Sequence, residues 1–113
     1  MSDRPRLPII LHITDRASWE RARAAGSYRG DTLDAAGFIH CATPAQLGGV
    51  ARRFFAGRRG LVLLRIDPGR LDAPLRYEPS PDAPEPFPHI HGPLNLEAVV
   101  AVEDFEPGED GSS

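Results

Sequence analysis

The four histidines of this 113-residue chain all lie in short apolar stretches. His12 lies in ILHIT, His40 stands beside the only cysteine, Cys41, in GFIHCAT, and His89 and His91 lie in PFPHIHG. An imidazole titrates near neutral pH, hydrogen-bonds hydroxyl groups and ligates metal ions. Because all four histidines lie in strand-like segments, we expect distant parts of the chain to bring their rings to one hollow that binds a small molecule.

Strand periodicity predicts which way the histidines face. In a strand, His12 shares a face with Thr14, and taken alone it is typical of a histidine at the core edge that bonds a backbone carbonyl. His89 and His91 are two residues apart, so in an extended chain both point to one side while Ile90 points into the core. This spacing suits a shared ligand or a metal ion.

Other residues add candidate roles around the histidines. His40 precedes a helix capped by Thr43, and the amides of such a helix start favour phosphate. Glu78 is a candidate general base or partner of a ribose hydroxyl, and Tyr77 beside it is a candidate for stacking on a flat ring. Tyr28 lies on a predicted loop near the same region.

A first helix is predicted over residues 16–26. Asp15 or Thr14 is placed to cap its start, and Gly26 is placed to end it. Its predicted inner face carries Trp19 and Ala22. The segment that follows connects this helix to the next strand and predicts one helical turn at residues 31–36.

The second main helix has the clearest signal, in TPAQLGGVARRFFAG (43–57). Thr43 and Gln46 have the spacing of a capping box, and Gly57 is placed to end the helix. The Gly48–Gly49 pair predicts close packing against a neighbour. Apolar residues recur with helical spacing and predict a stripe that faces the core. This stripe consists of Leu47, Val50, Ala51, Phe54 and Phe55.

Short apolar runs bounded by turn residues predict the strands. These runs cover residues 7–14, 37–42, 59–67, 73–78 and 96–107. The prolines of segment 79–88 exclude a central strand there. The segment instead predicts an exposed loop that brings His89 and His91 to a defined place. The order of elements indicates a single α+β domain over residues 1–113, with loose termini at 1–6 and 107–113.

Composition excludes several classes of protein. The formal net charge of −3 argues against general nucleic-acid binding. Every basic residue is arginine, so no lysine is present to form a Schiff base or to hold phosphates in a P-loop. No stretch approaches the roughly 20 apolar residues of a membrane span. With one cysteine and no secretory pattern at the N-terminus, we expect a cytoplasmic protein without membrane contact.

Taken together, the motifs resemble one family. The stretch LHITDRASWERARAAGSYRGDTLDAAGFIHCATPAQLGGVARRFF, followed by LVLLRID, LRYE and FPHIHGPLNLEAVVAV, resembles the bacterial and plant family known as domain of unknown function 952. The resemblance covers about residues 8–106. This family has no established activity and is grouped, distantly, with the ADP-ribosyltransferase fold. It implies an α+β domain with a split, curved, mostly antiparallel sheet and two main helices.

The resemblance also implies a nucleotide site. In that fold a cleft between two small sheets binds NAD, a first-strand residue contacts ribose, and aromatic side chains enclose nicotinamide. His12 matches the first-strand position, and His40 falls in the strand after the region of Tyr28 and Thr32. The glutamate found late in such enzymes has no clear match, and Glu78 is the remaining candidate.

Three functions follow as hypotheses. The first is an NAD- or nucleotide-binding protein, with ADP-ribosyl-transfer or phospho-transfer chemistry. It assigns catalytic roles to His12, His40 and Glu78, and cofactor contacts to Tyr28, Tyr77, His89 and His91. The second is a zinc or nickel site at His40, His89 and His91 with His12 or Cys41. The third is a non-catalytic domain with structural histidines and a basic surface that binds a partner. That surface comprises Arg52, Arg53, Arg58 and Arg59.

Overall fold

The computed structural model describes residues 8–81 and 83–107, apart from the side chains of residues 31 and 32. This part of the chain contains eight strands and three α-helices, and all three α-helices precede the fourth strand. In chain order they are β1 (Ile10–Asp15), α1 (Arg16–Ala25), β2 (Ser27–Tyr28), α2 (Gly30–Ala36), β3 (Ile39–His40), α3 (Pro44–Phe54), β4 (Leu61–Ile66), β5 (Leu75–Glu78), β6 (Phe87–Ile90), β7 (Leu94–Asn95) and β8 (Val99–Phe105). Short 3-10 helices cover Pro68–Arg70 and Leu96–Ala98.

The strands form three small antiparallel sheets. The first has the order β1-β4-β8, the second has the order β3-β6-β5, and β2 pairs with β7. A bridge between Leu11 and Ala42 joins the free edge of β1 to the chain just after β3. The expected α+β domain with antiparallel strand pairing is therefore confirmed, and its strands form three separate sheets.

Two apolar clusters lie on opposite faces of the first sheet because side chains alternate along its strands. One cluster contains Ile10, Leu64 and Trp19 and extends beneath the other two sheets. The second contains Leu11 and packs under α3. The same alternation places His12 and Thr14 on the side of Ile10, as the sequence predicts.

Caps delimit the two main helices where the sequence predicts them. The Asp15 carboxylate accepts a hydrogen bond from the Ser18 amide at 2.7 Å and starts α1, and Gly26 ends it at a φ of 91°. At the start of α3, Thr43 and Gln46 form the predicted capping box. That helix ends at Phe54, before Gly57.

Three local expectations are wrong. A Cβ on Gly48 would meet only the Arg52 side chain, at 3.6 Å, so no neighbour packs closely there. Phe54 is 61% exposed, whereas Phe55 beside it packs against the second apolar cluster. Pro88, predicted to lie in a loop, belongs to β6, the central strand of its sheet. The strand tolerates this proline because the hydrogen bond made there uses the Pro88 carbonyl, which accepts from the Cys41 amide at 3.0 Å. That bond needs no amide hydrogen from the proline.

Several strands are shorter than predicted. The run 37–42 contains only the two-residue β3, and the run 96–107 begins with a 3-10 helix before β8. The helical turn predicted at 31–36 is the helix α2. Pro107 is buried, whereas residues 1–6 and 108–113 of the predicted loose termini lie outside the described residues. None of the described helices has the length and apolar character that a membrane crossing requires.

The capping box gives a first prediction. Replacing Thr43 by Ala removes the acceptor for the Gln46 amide, which the hydroxyl bonds at 3.3 Å. We expect the free energy of unfolding to fall by about 1 kcal/mol, as for other N-caps. Thr43→Ser, which keeps the hydroxyl, is the matched control and should lose less than half of this. Urea unfolding measures both variants, and equal stability of Thr43→Ala and wild type would contradict the assignment.

The Asp15 cap gives a pH-dependent prediction. Hydrogen bonds from Ser18, first from its amide and then from its hydroxyl, hold the pKa of Asp15 below its ordinary value. A depressed folded-state pKa means that the carboxylate stabilises the fold above its unfolded pKa, near 3.9, and loses this contribution as the pH falls through the lower folded value.

Asp15→Asn separates this charge from the cap, because the amide oxygen still accepts a hydrogen bond from the Ser18 amide. We expect wild type to be more stable than Asp15→Asn above about pH 5 and the difference to shrink as the pH falls below the unfolded pKa, near 3.9. Urea unfolding at a series of pH values measures it. A difference that is unchanged between pH 7 and pH 2.5 would show that the carboxylate charge contributes nothing.

Candidate functional site

A cavity of about 520 Å³ lies beside β1, and residues 11–15 of that strand all line it. One wall is apolar and comes from α3 and the residue that follows it, with Leu47, Val50, Phe54 and Phe55. Residues 79–81 and Phe87 also line the cavity. The volume is within the range typical of sites for small organic ligands.

Three imidazoles and one phenol of the cavity lining come from four separate strands. His12 of β1, Tyr28 of β2, His40 of β3 and His89 of β6 all line it. Three of the four histidines predicted to share a hollow therefore do so. The residues that cap α3, 43–46, are not among the lining residues, so the cavity does not use the helix start that the sequence singles out as an anion site.

Both ring nitrogens of His12 make hydrogen bonds in this arrangement. Nδ1 lies 2.5 Å from the backbone oxygen of His40, and Nε2 lies 2.8 Å from the hydroxyl of Tyr28. Because a carbonyl can only accept, Nδ1 carries the hydrogen, and in the neutral ring Nε2 then accepts from Tyr28. The Tyr28 hydroxyl also lies 2.9 Å from the hydroxyl of Thr14. The bond to a backbone carbonyl is the structural role that the sequence pattern of His12 indicates by itself.

The second sheet presents one face of aromatic and titratable side chains. His40 pairs with His89 across β3 and β6, so both rings lie on this face, and residues two positions away lie there as well. Phe38 stacks on His89 with ring centroids 4.2 Å apart and contacts His40 at 4.7 Å. On the opposite face Ile90 is fully buried, as predicted.

Glu78 joins this face from the neighbouring strand β5. One of its carboxylate oxygens, Oε1, lies 2.7 Å from Nδ1 of His89 and 2.8 Å from Nε2 of His91. Hydrogen bonds from these two rings, first His89 and then His91, hold the pKa of Glu78 below its ordinary value. Glu78 and His91 are not among the residues that line the cavity, so they reach it only through His89.

Titration properties differ between the neighbouring His40 and Cys41. Partial desolvation, together with repulsion from a protonated His89, holds the pKa of His40 below its ordinary value. The neutral imidazole is therefore the dominant form of His40 at neutral pH. Burial raises the pKa of the Cys41 thiol, and the side chain lies in the apolar core. A buried neutral thiol is unsuited to ligating a metal.

Tyr77 does not occupy the place that its predicted role requires. Its side chain is 45% exposed and does not line the cavity, because β5 directs Tyr77 and Glu78 to opposite faces. Burial of part of the ring, together with Cys41, raises the pKa of its hydroxyl. Any contact between Tyr77 and a ligand in the cavity would require that ligand to extend beyond the lining residues.

Two aromatic residues near these histidines are absent from the sequence-based candidates. Phe38 stands two positions before His40, so strand alternation alone puts both on one face and could have identified it. Phe87 stands two positions before His89 and lines the cavity for the same reason. The roles of both depend on β3 and β6 being neighbours, which spacing along the chain does not reveal.

The fold and this cleft define a small α+β domain in which histidines from separate strands line a common cavity. The sequence pattern of the family described as "Protein of unknown function (DUF952)" matches residues 13–102. The chain therefore belongs to this family, as the resemblance of its motifs indicates.

Solved structures of a relative share the fold. The crystal structure of protein CC0527 from Caulobacter crescentus is 33% identical, with a TM-score of 0.82 over 91% of this chain and 90% of that one. The solution NMR structure of CC0527 is 34% identical, with a TM-score of 0.78 over 93% of this chain and 90% of that one. No curated protein matches the chain.

The hydrogen bonds of Tyr28 give a prediction for the site. Tyr28→Phe removes the hydroxyl that contacts both His12 and Thr14, and its ring is only 4% exposed. We expect the free energy of unfolding to fall by about 1–3 kcal/mol because two hydrogen bonds in a buried place are lost. Tyr77→Phe, on an exposed ring, is the matched control and should stay within about 0.5 kcal/mol of wild type. Urea unfolding that ranks the two variants equally would refute the role given to Tyr28.

Proposed function

We propose that the cavity beside β1 binds NAD or a related nucleotide. The observation that carries the proposal is the lining, in which three imidazoles and one phenol from four strands stand beside apolar and aromatic side chains of the same cavity. Nucleosides and nucleotides match this lining, because each joins a flat ring system, which suits the apolar residues, to a hydroxyl-rich sugar, which suits the polar ones. The family resemblance to a nucleotide-binding fold points to the same class of ligand.

The apolar wall suits the flat ring of a base or of nicotinamide. Phe54 and Phe55 lie at the end of α3 on this wall, together with Leu47 and Val50. Phe54 is 61% exposed, and the Arg53 guanidinium lies 5.6 Å from its ring centroid, so the rest of the ring is open to a ligand. A heteroaromatic ring stacked on Phe54 would cover that surface and gain the favourable contact of two flat rings.

The polar side suits ribose hydroxyls. In neutral His89, Nδ1 carries the hydrogen that Glu78 accepts, so Nε2 is the nitrogen left to accept a hydrogen bond from a ligand. The depressed pKa of His40 favours its neutral ring, which accepts and donates at its two nitrogens. His12 acts as a positioning residue, because its two nitrogens hold the His40 backbone and Tyr28.

One cation stands among the lining residues. Arg58 is exposed and follows the end of α3, and its guanidinium lies 5.1 Å from the ring centroid of Phe55. A guanidinium group binds phosphate oxygens through paired hydrogen bonds. Arg58 is therefore the residue we assign to a phosphate of the nucleotide, on the side where the base would meet Phe54.

The arrangement also supports a transfer reaction at the nicotinamide ribose. An acceptor hydroxyl would attack the anomeric carbon, and its proton would pass to Nε2 of His89. The bond between that carbon and nicotinamide would break, and nicotinamide would leave with the electron pair as a neutral ring. Glu78, which accepts from Nδ1, would hold His89 in the tautomer that takes the proton and stabilise the charged ring.

The proposal is tested by titrating EDTA-treated protein with NAD, AMP and nicotinamide mononucleotide. Calorimetry reports binding, and the imidazole resonances in NMR spectra report which histidines are contacted. We expect saturable heat with at least one ligand, and shifts at His40 and His89. Phe54→Ala should weaken binding about 10-fold through lost stacking, and His40→Gln about 3–10-fold through a lost hydrogen bond.

A matched control for Phe54→Ala is Val100→Ala. Val100 is 46% exposed on β8 and does not line the cavity, so its replacement should leave affinity within about 2-fold. If no ligand gives heat and no histidine resonance moves, the cavity is not a nucleotide site. Equal weakening by Phe54→Ala and Val100→Ala would also contradict the assignment of the wall.

A further inference from the structure

We propose that Glu78, His89 and His91 bind one divalent transition-metal ion of the zinc class. This site lies on the face of the second sheet, beside the nucleotide cavity, and the inference stands independently of nucleotide binding. It differs from the metal site that the sequence suggests at His40, His89 and His91, because the structure puts a carboxylate where that hypothesis placed His40.

The directions of the two imidazoles carry the proposal. Nδ1 of His89 and Nε2 of His91 both point at a single atom, Oε1 of Glu78, from 2.7 and 2.8 Å. The three donor atoms lie within 4.8 Å of one another. A metal ion binds imidazole along the same in-plane direction as a hydrogen-bond acceptor, so one ion could be reached by both nitrogens.

Coordination would require a rearrangement of this cluster. Ligands about 2.0–2.1 Å from a tetrahedral ion lie about 3.3 Å from each other, so the Glu78 oxygen would withdraw by about 0.5 Å from each nitrogen, and the two nitrogens would also have to lie about 3.3 Å apart. The side chain of Glu78 is 36% exposed, which leaves it room to do so. For a neutral His89, the hydrogen on Nδ1 would move to Nε2 as the metal takes its place, with no net loss of a proton.

The surrounding structure already fixes the two rings. The His91 amide donates to the Pro74 carbonyl at 2.8 Å, and Phe38 stacks on His89 and contacts His91 with centroids 5.3 Å apart. Gly92 follows with no room for a side chain, since a Cβ there would lie 2.8 Å from the Cβ of Ala73. Ligands held in place before binding lose little freedom when the metal arrives.

The donor set and its exposure indicate the class of metal. Two imidazoles and one carboxylate are typical of zinc and neighbouring divalent ions, whereas calcium and magnesium take oxygen ligands. His89 is 10% exposed and His91 27%, so the protein encloses the cluster on one side and leaves it open on the other. Three protein ligands with an open position are the arrangement of metal sites that also bind water or a substrate.

The test uses untagged protein that has been treated with EDTA and then titrated with Zn²⁺ by calorimetry. Co²⁺ titration provides a spectroscopic readout, because low-coordinate cobalt with nitrogen ligands absorbs visible light far more strongly than the hydrated ion. We expect one ion per chain for both metals. Glu78→Gln and His91→Gln should each weaken Zn²⁺ binding by at least about 100-fold, more than the loss of an outer partner causes.

His40→Gln is the matched control, because His40 lies on the same face with its ring centroid 5.0 Å from that of His89 but is outside the three-donor group. This variant should bind Zn²⁺ within about 3-fold of wild type. Far-UV circular dichroism and melting temperature, recorded for every metal-free variant, show whether a lost site reflects lost folding. If one of the two variants, Glu78→Gln or His91→Gln, is unfolded, the Co²⁺ spectrum of the other, folded variant decides whether the site is lost.

Three outcomes would overturn the proposal. They are the absence of saturable Zn²⁺ binding to wild type, binding that Glu78→Gln and His91→Gln leave unchanged, and an equal loss in His40→Gln. In each case Glu78 serves only as a hydrogen-bond acceptor that orients His89 and His91. Because nucleotide titrations are made on metal-free protein, failure here is distinguishable from failure of the nucleotide site.

Discussion

The join between the two three-stranded sheets determines where the histidines of this protein lie. Leu11 and Ala42 exchange two backbone hydrogen bonds of 2.8 Å, and His12 adds a third through the carbonyl of His40. These bonds fasten the chain after β3 to the free edge of β1. Because His40 and His89 are paired across β3 and β6, the same join brings His89 to the cavity.

His12 contributes to this join rather than simply lining a cleft. Its ring spans from the backbone of β3 to the phenol of Tyr28 on β2, so one side chain connects three separate strands. A residue of this kind affects a ligand through the shape of the cavity, and its replacement would disturb both His40 and Tyr28. Activity loss in a His12 variant would therefore not by itself demonstrate contact with the ligand.

His89 is shared between the two proposed sites, and its tautomer links them. With Nδ1 bonded to Glu78, Nε2 accepts a hydrogen bond from the cavity side. With a metal on Nδ1, the hydrogen would lie on Nε2, which would then donate. Metal occupancy would thus change what His89 offers a nucleotide, and would remove its capacity to take a proton from an acceptor hydroxyl.

The sequence by itself determined the elements whose signals are local. The cap and stop of α1, the capping box of α3 and the inward direction of Ile90 follow from neighbouring residues, so they were predictable. The common face of His89 and His91 follows from alternation in the same way. The family also followed from the motifs, because their spacing along the chain is itself the signal.

The tertiary structure alone decided which of these faces meet. Nothing along the chain indicates that Phe38 stacks on His89, or that Glu78 lies between His89 and His91, because these contacts depend on β6 lying between β3 and β5. Proline at position 88 even argued against that strand. Strand pairing over long separations depends on how whole surfaces pack, and that information is spread across the chain rather than held in any one motif.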